Sequence, residues 1–211
     1  MTGPARVFDV SLRLDAATPL YPGDAPPSVK RISSIAQGAA LTASEISLGC
    51  HIGTHVDAPA HFLETGACLD QLNMAHFHGP ATVAEFPPLD RLTPADVRPK
   101  QVPRRSNILL KTRNSALLTQ PAFQPDFCYV TPAAVEVLLA LDPLSIGFDY
   151  YSLDPPGETN FPSHRAVARR GLPCFVCLNL ADVPAGQYEF AAFPLNIPGL
   201  EALPVRAVLF G

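Results

Sequence analysis

The chain predicts a single α/β domain built on a curled, mixed sheet, and three observations lead there. Eight short apolar runs read as strands, while only two segments read as helices. Their order is mixed and does not alternate strictly. The 24 prolines punctuate the 211 residues without forming a repeat or a linker, so one domain spans residues 1–211.

In chain order, strands are expected over residues 7–12, 46–50, 82–86, 108–112, 146–148, 175–180, 188–193 and 205–210. The first helix opens on Thr131, which can cap, with Pro132 in the first turn and apolar residues to Leu141. The second opens at Ser163-His164-Arg165, reaches Arg170 and stops at Gly171. His164 then sits at a helix N-terminus, where the dipole disfavours an imidazolium and suits a neutral ring.

Composition narrows the function classes. Hydrophobic residues make up 47% and charged residues 16%, more apolar than a soluble monomer usually needs. The excess is expected to cover a subunit interface, and a homodimer follows. A net charge of −4 argues against a nucleic-acid partner. No apolar run is long enough to span a membrane and no signal-peptide core opens the chain, so a cytoplasmic location is expected. Five cysteines form no regular framework and read as reduced thiols. Cys174 and Cys177 make a C-x-x-C, but in a strand residues three apart face opposite sides, so core cysteines are the expectation. There is no nucleophile elbow and no glycine-rich phosphate loop. Cys50 beside His51 reads as the buried end of a strand.

The chemistry concentrates in His51-Ile-Gly-Thr-His55-Val-Asp57-Ala-Pro-Ala-His61-Phe62, which holds half of the six histidines. Residues 51, 55, 57 and 61 are all odd, so extended backbone would project all four to one side. Gly53 and Pro59 argue against a helix. Nitrogen and oxygen donors crowded on one face suit a divalent Zn or Mn ion. Gly53 on that face would leave room for an ion, a water or a substrate.

This segment resembles the HxGTHxDxPxHF signature of the metal-dependent cyclase family, which includes the bacterial kynurenine formamidases. Further likenesses extend over nearly the whole chain. Pro19-Leu20-Tyr21-Pro22-Gly23-Asp24 is similar to the family's P-x-W-P-G-D turn, and Ile146-Gly147-Phe148-Asp149 with Ser152 to its I-G-x-D-x-x-S segment. His164-Arg165, Phe193-Pro194-Leu195 and Pro204-Val205-Arg206-Ala207-Val208 resemble its later motifs. The resemblance implies a swivelling β/α fold: a barrel-like mixed sheet with peripheral helices.

It also implies roles. His51, His55 and Asp57 fall on ligands of a first metal ion, and Asp57 would bridge to a second. His61 falls on the proton-transfer histidine and His164 on a second-ion ligand. Tyr21 replaces a tryptophan of the substrate pocket. The family's remaining ligand, a glutamate, falls on Val176. With that carboxylate missing, like-charge repulsion between two ions has half its protein compensation. One divalent metal is therefore expected, leaving His164 free for substrate or water. Glu158, in a Pro/Gly-rich loop, is a candidate replacement; Cys177, next to Val176 in a strand, would face away.

The activity this implies is metal-assisted hydrolysis of an amide, formamide or lactone-type bond in a small aromatic molecule. Two alternatives stand beside it: a cyclase or dehydratase using the same metal site, and a non-catalytic descendant that binds a small molecule.

Overall fold

A computed structural model describes residues 6–98 and 100–211. The strands are β1 (Val7–Asp9), β2 (Ser28–Ser33), β3 (Ala43–Ser47), β4 (His55–Asp57), β5 (His78–Glu85), β6 (Arg91–Leu92) and β7 (Asn107–Lys111). They continue with β8 (Tyr129–Val130), β9 (Ser145–Phe148), β10 (Cys174–Val176), β11 (Gly186–Ala191), β12 (Ala202–Pro204) and β13 (Val208–Phe210). The α-helices are α1 (Pro94–Val97), α2 (Pro132–Leu139) and α3 (Pro162–Arg169).

Nine of the strands form one sheet in the order β1-β13-β11-β5-β7-β9-β10-β4-β12. The run β5-β7-β9-β10 is parallel, and every strand outside it pairs antiparallel. The result is the mixed, curled half-barrel of the expected fold class. Pro204 is tolerated because β12 is an edge strand with β4 as its neighbour in the sheet.

Period-two alternation splits the apolar residues between two cores. Ile108, Leu110, Ile146, Phe148, Cys174 and Val176 face one side, where α2 packs through Val135, Leu138 and Leu139 and α3 through Val167. Leu109, Phe175 and Val56 face the other side, with Phe77 and Phe190. Each such fully buried side chain contributes about 1.5–3 kcal/mol relative to exposure. Gly147 in β9 is required by close packing, since an added Cβ would lie 2.4 Å from Leu109 and 2.7 Å from Leu178. Both α2 and α3 fall where the sequence predicts them. The Thr131 hydroxyl caps α2 by accepting from Ala134 N at 3.3 Å.

Three expectations are corrected. The apolar stretch 46–50 is not a core strand. Its first residues lie in β3, which pairs with β2 as a separate, largely exposed ribbon. The run 175–180 is strand only to Val176, because Cys177 adopts φ +55 and ends it. That kink sends the Cys177 side chain into the same core as Val176 and Cys174, not to the opposite face. The five cysteines are all unpaired.

Candidate metal centre

β4 lies between β10 and β12, and all three of its residues are buried. Val56 points into one core, so His55 and Asp57 share the opposite face, towards α3. Only this three-residue stretch follows the expected extended register. His51 arrives from a turn whose Gly53 adopts φ +59, and His61 ends a 3-10 turn, Pro59–His61. Gly53 therefore opens no space for a ligand. A Cβ there would meet Leu14 at 2.4 Å, and the glycine serves the left-handed turn instead.

The four side chains nevertheless converge. His51 Nδ1 lies 3.0 Å and His55 Nε2 3.4 Å from the same oxygen, Asp57 Oδ1. Ligand atoms of His51, Asp57 and His61 lie within 4.8 Å of one another. The His61 ring packs 4.1 Å from that of His51.

Backbone and carboxylate partners fix the imidazoles. Gly53 O accepts from His55 Nδ1 at 2.8 Å, which leaves the Nε2 lone pair facing Asp57. On His51 the arrangement is mirrored: Nε2 faces Glu201 Oε1 at 3.3 Å, so Nδ1 faces the cluster. Glu201 was not anticipated from the sequence. It immediately precedes β12, whose Ala202 pairs with Asp57.

Asp57 Oδ1 is buried and makes no hydrogen bond, for neither imidazole approach meets hydrogen-bond geometry. Buried carboxylate oxygens rarely lack partners, because the desolvation penalty is then uncompensated. Two ring nitrogens face this oxygen, and the trio whose ligand atoms all lie within 4.8 Å of one another is His51, Asp57 and His61, with His55 Nε2 beside it; the cluster fits a divalent cation. Burial pushes the Asp57 carboxyl up, yet the imidazoles of His55 and His51 prevail and hold it well below the usual carboxylate range. Burial lowers His51, but Asp57 and Glu201 more than offset it and the net shift is upward. Desolvation and the neighbouring imidazoles depress His61 despite the pull of Asp57.

His164 forms the facing wall. Its Nδ1 donates to Asp154 Oδ2 at 2.8 Å, and Asp154 also accepts from the backbone N–H groups of Ser163 and His164. This carboxylate, remote from any local cap signal, caps α3; the residue before the helix, Phe161, offers no side-chain bond. His164 thus stands at a helix N-terminus as expected, but beside a buried negative charge that the dipole argument omitted. Phe62 bridges the two walls, stacked on His164 at 4.6 Å and edge-on to His61 at 4.3 Å.

Together these groups enclose a cavity of roughly 260 Å³, and Tyr21, Asp24, Tyr151, Ser152 and Phe161 complete its lining. Tyr21 lies in the cavity wall. The Tyr151 hydroxyl donates to Pro19 O at 2.5 Å and tethers the loop that carries it. Glu158 does not reach the cavity and accepts locally from Asn160 N. Val176 pairs with His55 across β10 and β4, fully buried, so an apolar side chain stands where a bridging carboxylate was looked for.

A profile of the Cyclase family matches residues 8–155, and the chain belongs to that family. A solved structure described as a potential metal-dependent hydrolase with cyclase activity is 28% identical, with a TM-score of 0.84 over 98% of both chains. A predicted metal-dependent hydrolase from Bacillus stearothermophilus matches at 28% identity and TM-score 0.84 over 99% of each chain. Isatin hydrolase A from Ralstonia solanacearum matches at 25% identity and TM-score 0.81, over 98% of this chain and 92% of its own. His164 and Val176 lie beyond the profile match. Among the described residues, no helix is long and apolar enough to cross a membrane.

Proposed function

We propose that this protein is a metal-dependent hydrolase that opens an amide, formamide or lactone-type bond in a small aromatic molecule. The observation that carries the reading is the buried, unpartnered Asp57 oxygen faced by two ring nitrogens. One Zn or Mn ion held by His51, His55 and Asp57 would polarise the substrate carbonyl and lower the pKa of water. His61, beside His51 at the cavity mouth, takes the proton of the attacking water and returns it to the leaving group. His164 has its Nδ1–H committed to Asp154 and its Nε2 accepting from Leu153 N at 3.5 Å, a long bond that a substrate N–H or a water would replace at that nitrogen.

The walls supply the substrate class. Tyr21, Phe62, Tyr151 and Phe161 surround a space at the small end of ligand pockets, suited to a single or fused ring. The lining holds the carboxylates Asp24 and Asp57 but no Lys or Arg. An uncharged aryl formamide or cyclic aryl amide fits this lining better than a carboxylate-bearing one. The similarity to an isatin hydrolase supports the cyclic amide. With five unpaired thiols, a reducing, cytoplasmic setting is part of the proposal.

The test is turnover of an uncharged aryl formamide and of isatin in ¹⁸O-labelled water, alongside metal analysis. Label in the product with one ion per chain is the expected result. Bound metal with turnover but no label would replace hydrolysis with ring closure or elimination, which the cyclase activity named for one neighbour makes the second reading. A metal-free, inactive protein would leave a binding module. The count of one ion has its own check in Val176→Glu. That variant should approach two ions per chain, and unchanged stoichiometry would mean position 176 does not face the ions.

A further inference from the structure

We infer that the cavity carries a subsite for a protonated or quaternary amine attached to the substrate's aromatic ring, with Asp24 as its counter-charge. The inference deepens the proposed hydrolase reading and rests on it for the bond that reacts, though not for the binding itself.

The subsite is built on one turn. Asp24 N donates to Tyr21 O at 3.0 Å, and Gly23 between them adopts φ +103. Proline followed by a glycine at positive φ is the pattern of a type II turn. The first and last residues of that turn, Tyr21 and Asp24, both line the cavity. A Cβ at Gly23 would meet nothing within 4 Å, so the glycine serves the turn's conformation and not its packing. Aromatic rings hold the turn from behind. Tyr21 meets Phe123 edge-on at 5.1 Å, and its ring lies 6.1 Å from that of Tyr151, whose hydroxyl is tied to Pro19.

The other acids around the cavity are already answered. Asp57 faces His51 and His55, Glu201 faces His51, and Asp154 accepts from His164 and from the start of α3. Among the described residues Asp24 has no such counterpart, and its one hydrogen bond is that of its own backbone N–H. It does not belong to the metal cluster, since the ligand atoms gathered within 4.8 Å are those of His51, Asp57 and His61. A divalent ion there has Asp57 and Glu201 to offset its charge, which leaves Asp24 over.

What distinguishes Asp24 from an ordinary solvated carboxylate is the wall it joins. Tyr21, Tyr151, Phe62 and Phe161 line the same cavity, and the faces of aromatic rings attract a cation. Burial above all raises the Tyr151 phenol, and Asp24 is among the neighbours that add to the shift, so the carboxylate and the rings act on the same space. An ammonium group satisfies both, whereas a carboxylate in its place would meet Asp24 as a like charge.

Calorimetric titration of the metal-loaded whole chain with benzyltrimethylammonium and with its neutral carbon isostere, neopentylbenzene, tests the subsite without turnover, because neither compound can ligate an ion. Asp24→Asn should weaken the ammonium at least about tenfold more than the isostere, and Asp24→Glu should restore most of that difference. Affinity for the ammonium should also fall as salt rises, while that for the isostere should not. Equal effects of Asp24→Asn on the two ligands, or loss of the bound ion in that variant, overturns the assignment. Turnover separates this inference from the reading beneath it. Meta-aminomethyl formanilide should exceed meta-methyl formanilide about tenfold in kcat/KM. Turnover of both without that preference overturns the subsite and leaves the hydrolase standing. Selective ammonium binding without turnover of either keeps the subsite and overturns the hydrolase.

Discussion

Asp57 and Asp149 are both buried carboxylates, 4% and 0% exposed, and the fold treats them in opposite ways. Asp149 accepts four hydrogen bonds, from the backbone N–H and the hydroxyl of both Thr112 and Ser115, at 2.6–3.0 Å. Asp57 carries an oxygen with no partner at all, surrounded by imidazoles. Burial raises the Asp149 carboxyl to about 6 in spite of its donors, whereas Asp57 is held well below the usual range. A buried acid whose bonding is complete ties strands β7 and β9 to the turn at 113–116. One whose bonding is incomplete is prepared for a cation. The difference separates scaffold from site without reference to any relative.

Replacing each acid in turn breaks the comparison. Asp149→Ala strands four buried donors and should cost about 3–5 kcal/mol in chemical denaturation while leaving metal stoichiometry unchanged. Stability against pH should carry the next effect. Because the folded value of Asp149 is raised from 3.8 to about 6, its stabilising contribution is full below pH 3.8 and is lost as pH rises through 6. That amounts to about 3 kcal/mol. The difference between wild type and Asp149→Ala, followed by denaturation from pH 4 to 7, should show this slope. For Asp57 the sign reverses: its contribution is present above 3.8 and is lost as pH falls.

Asp57→Asn should reduce metal affinity at least about 100-fold, beyond what loss of an outer partner costs, and should cost the metal-free protein at neutral pH no more than the contribution that acid removes from wild type. Equilibrium dialysis and denaturation of the metal-free form check both halves. A larger destabilisation would mean Asp57 has a structural role beyond its charge. The smallest effect belongs to Glu201→Gln. Metal affinity should fall about tenfold through looser orientation of His51, with stability within about 0.5 kcal/mol of wild type.

How much of this the sequence announced depends on where each partner lies along the chain. His51, His55, Asp57 and His61 were readable as a group because their spacing is local. The reason offered for it, a single extended strand, holds only for residues 55–57. Left-handed Gly53 and the 3-10 turn at Pro59 do the rest. Glu201 and Asp154 were missed because nothing near them in sequence says which histidine each will meet. Glu201 is 150 residues from His51. The apolar run at 46–50 looked like core because hydrophobic residues are ordinarily buried, yet its first residues lie in the largely exposed β2–β3 ribbon. The strand pattern itself was sound, and seven of its eight runs meet the nine-stranded sheet.

Gly66 shows how closely the site depends on its packing: a Cβ there would fall 2.4 Å from the Pro59 carbonyl carbon, in the turn that aims His61.

The position of β4 between β10 and β12 has a consequence for biosynthesis. A ribosome releases residues 51–57 well before the strands that flank them, 174–176 and 202–204. At ordinary elongation rates the nascent imidazoles wait on the order of ten seconds before their cradle closes. An ion held there would thus meet its complete cradle only after β12 has been made.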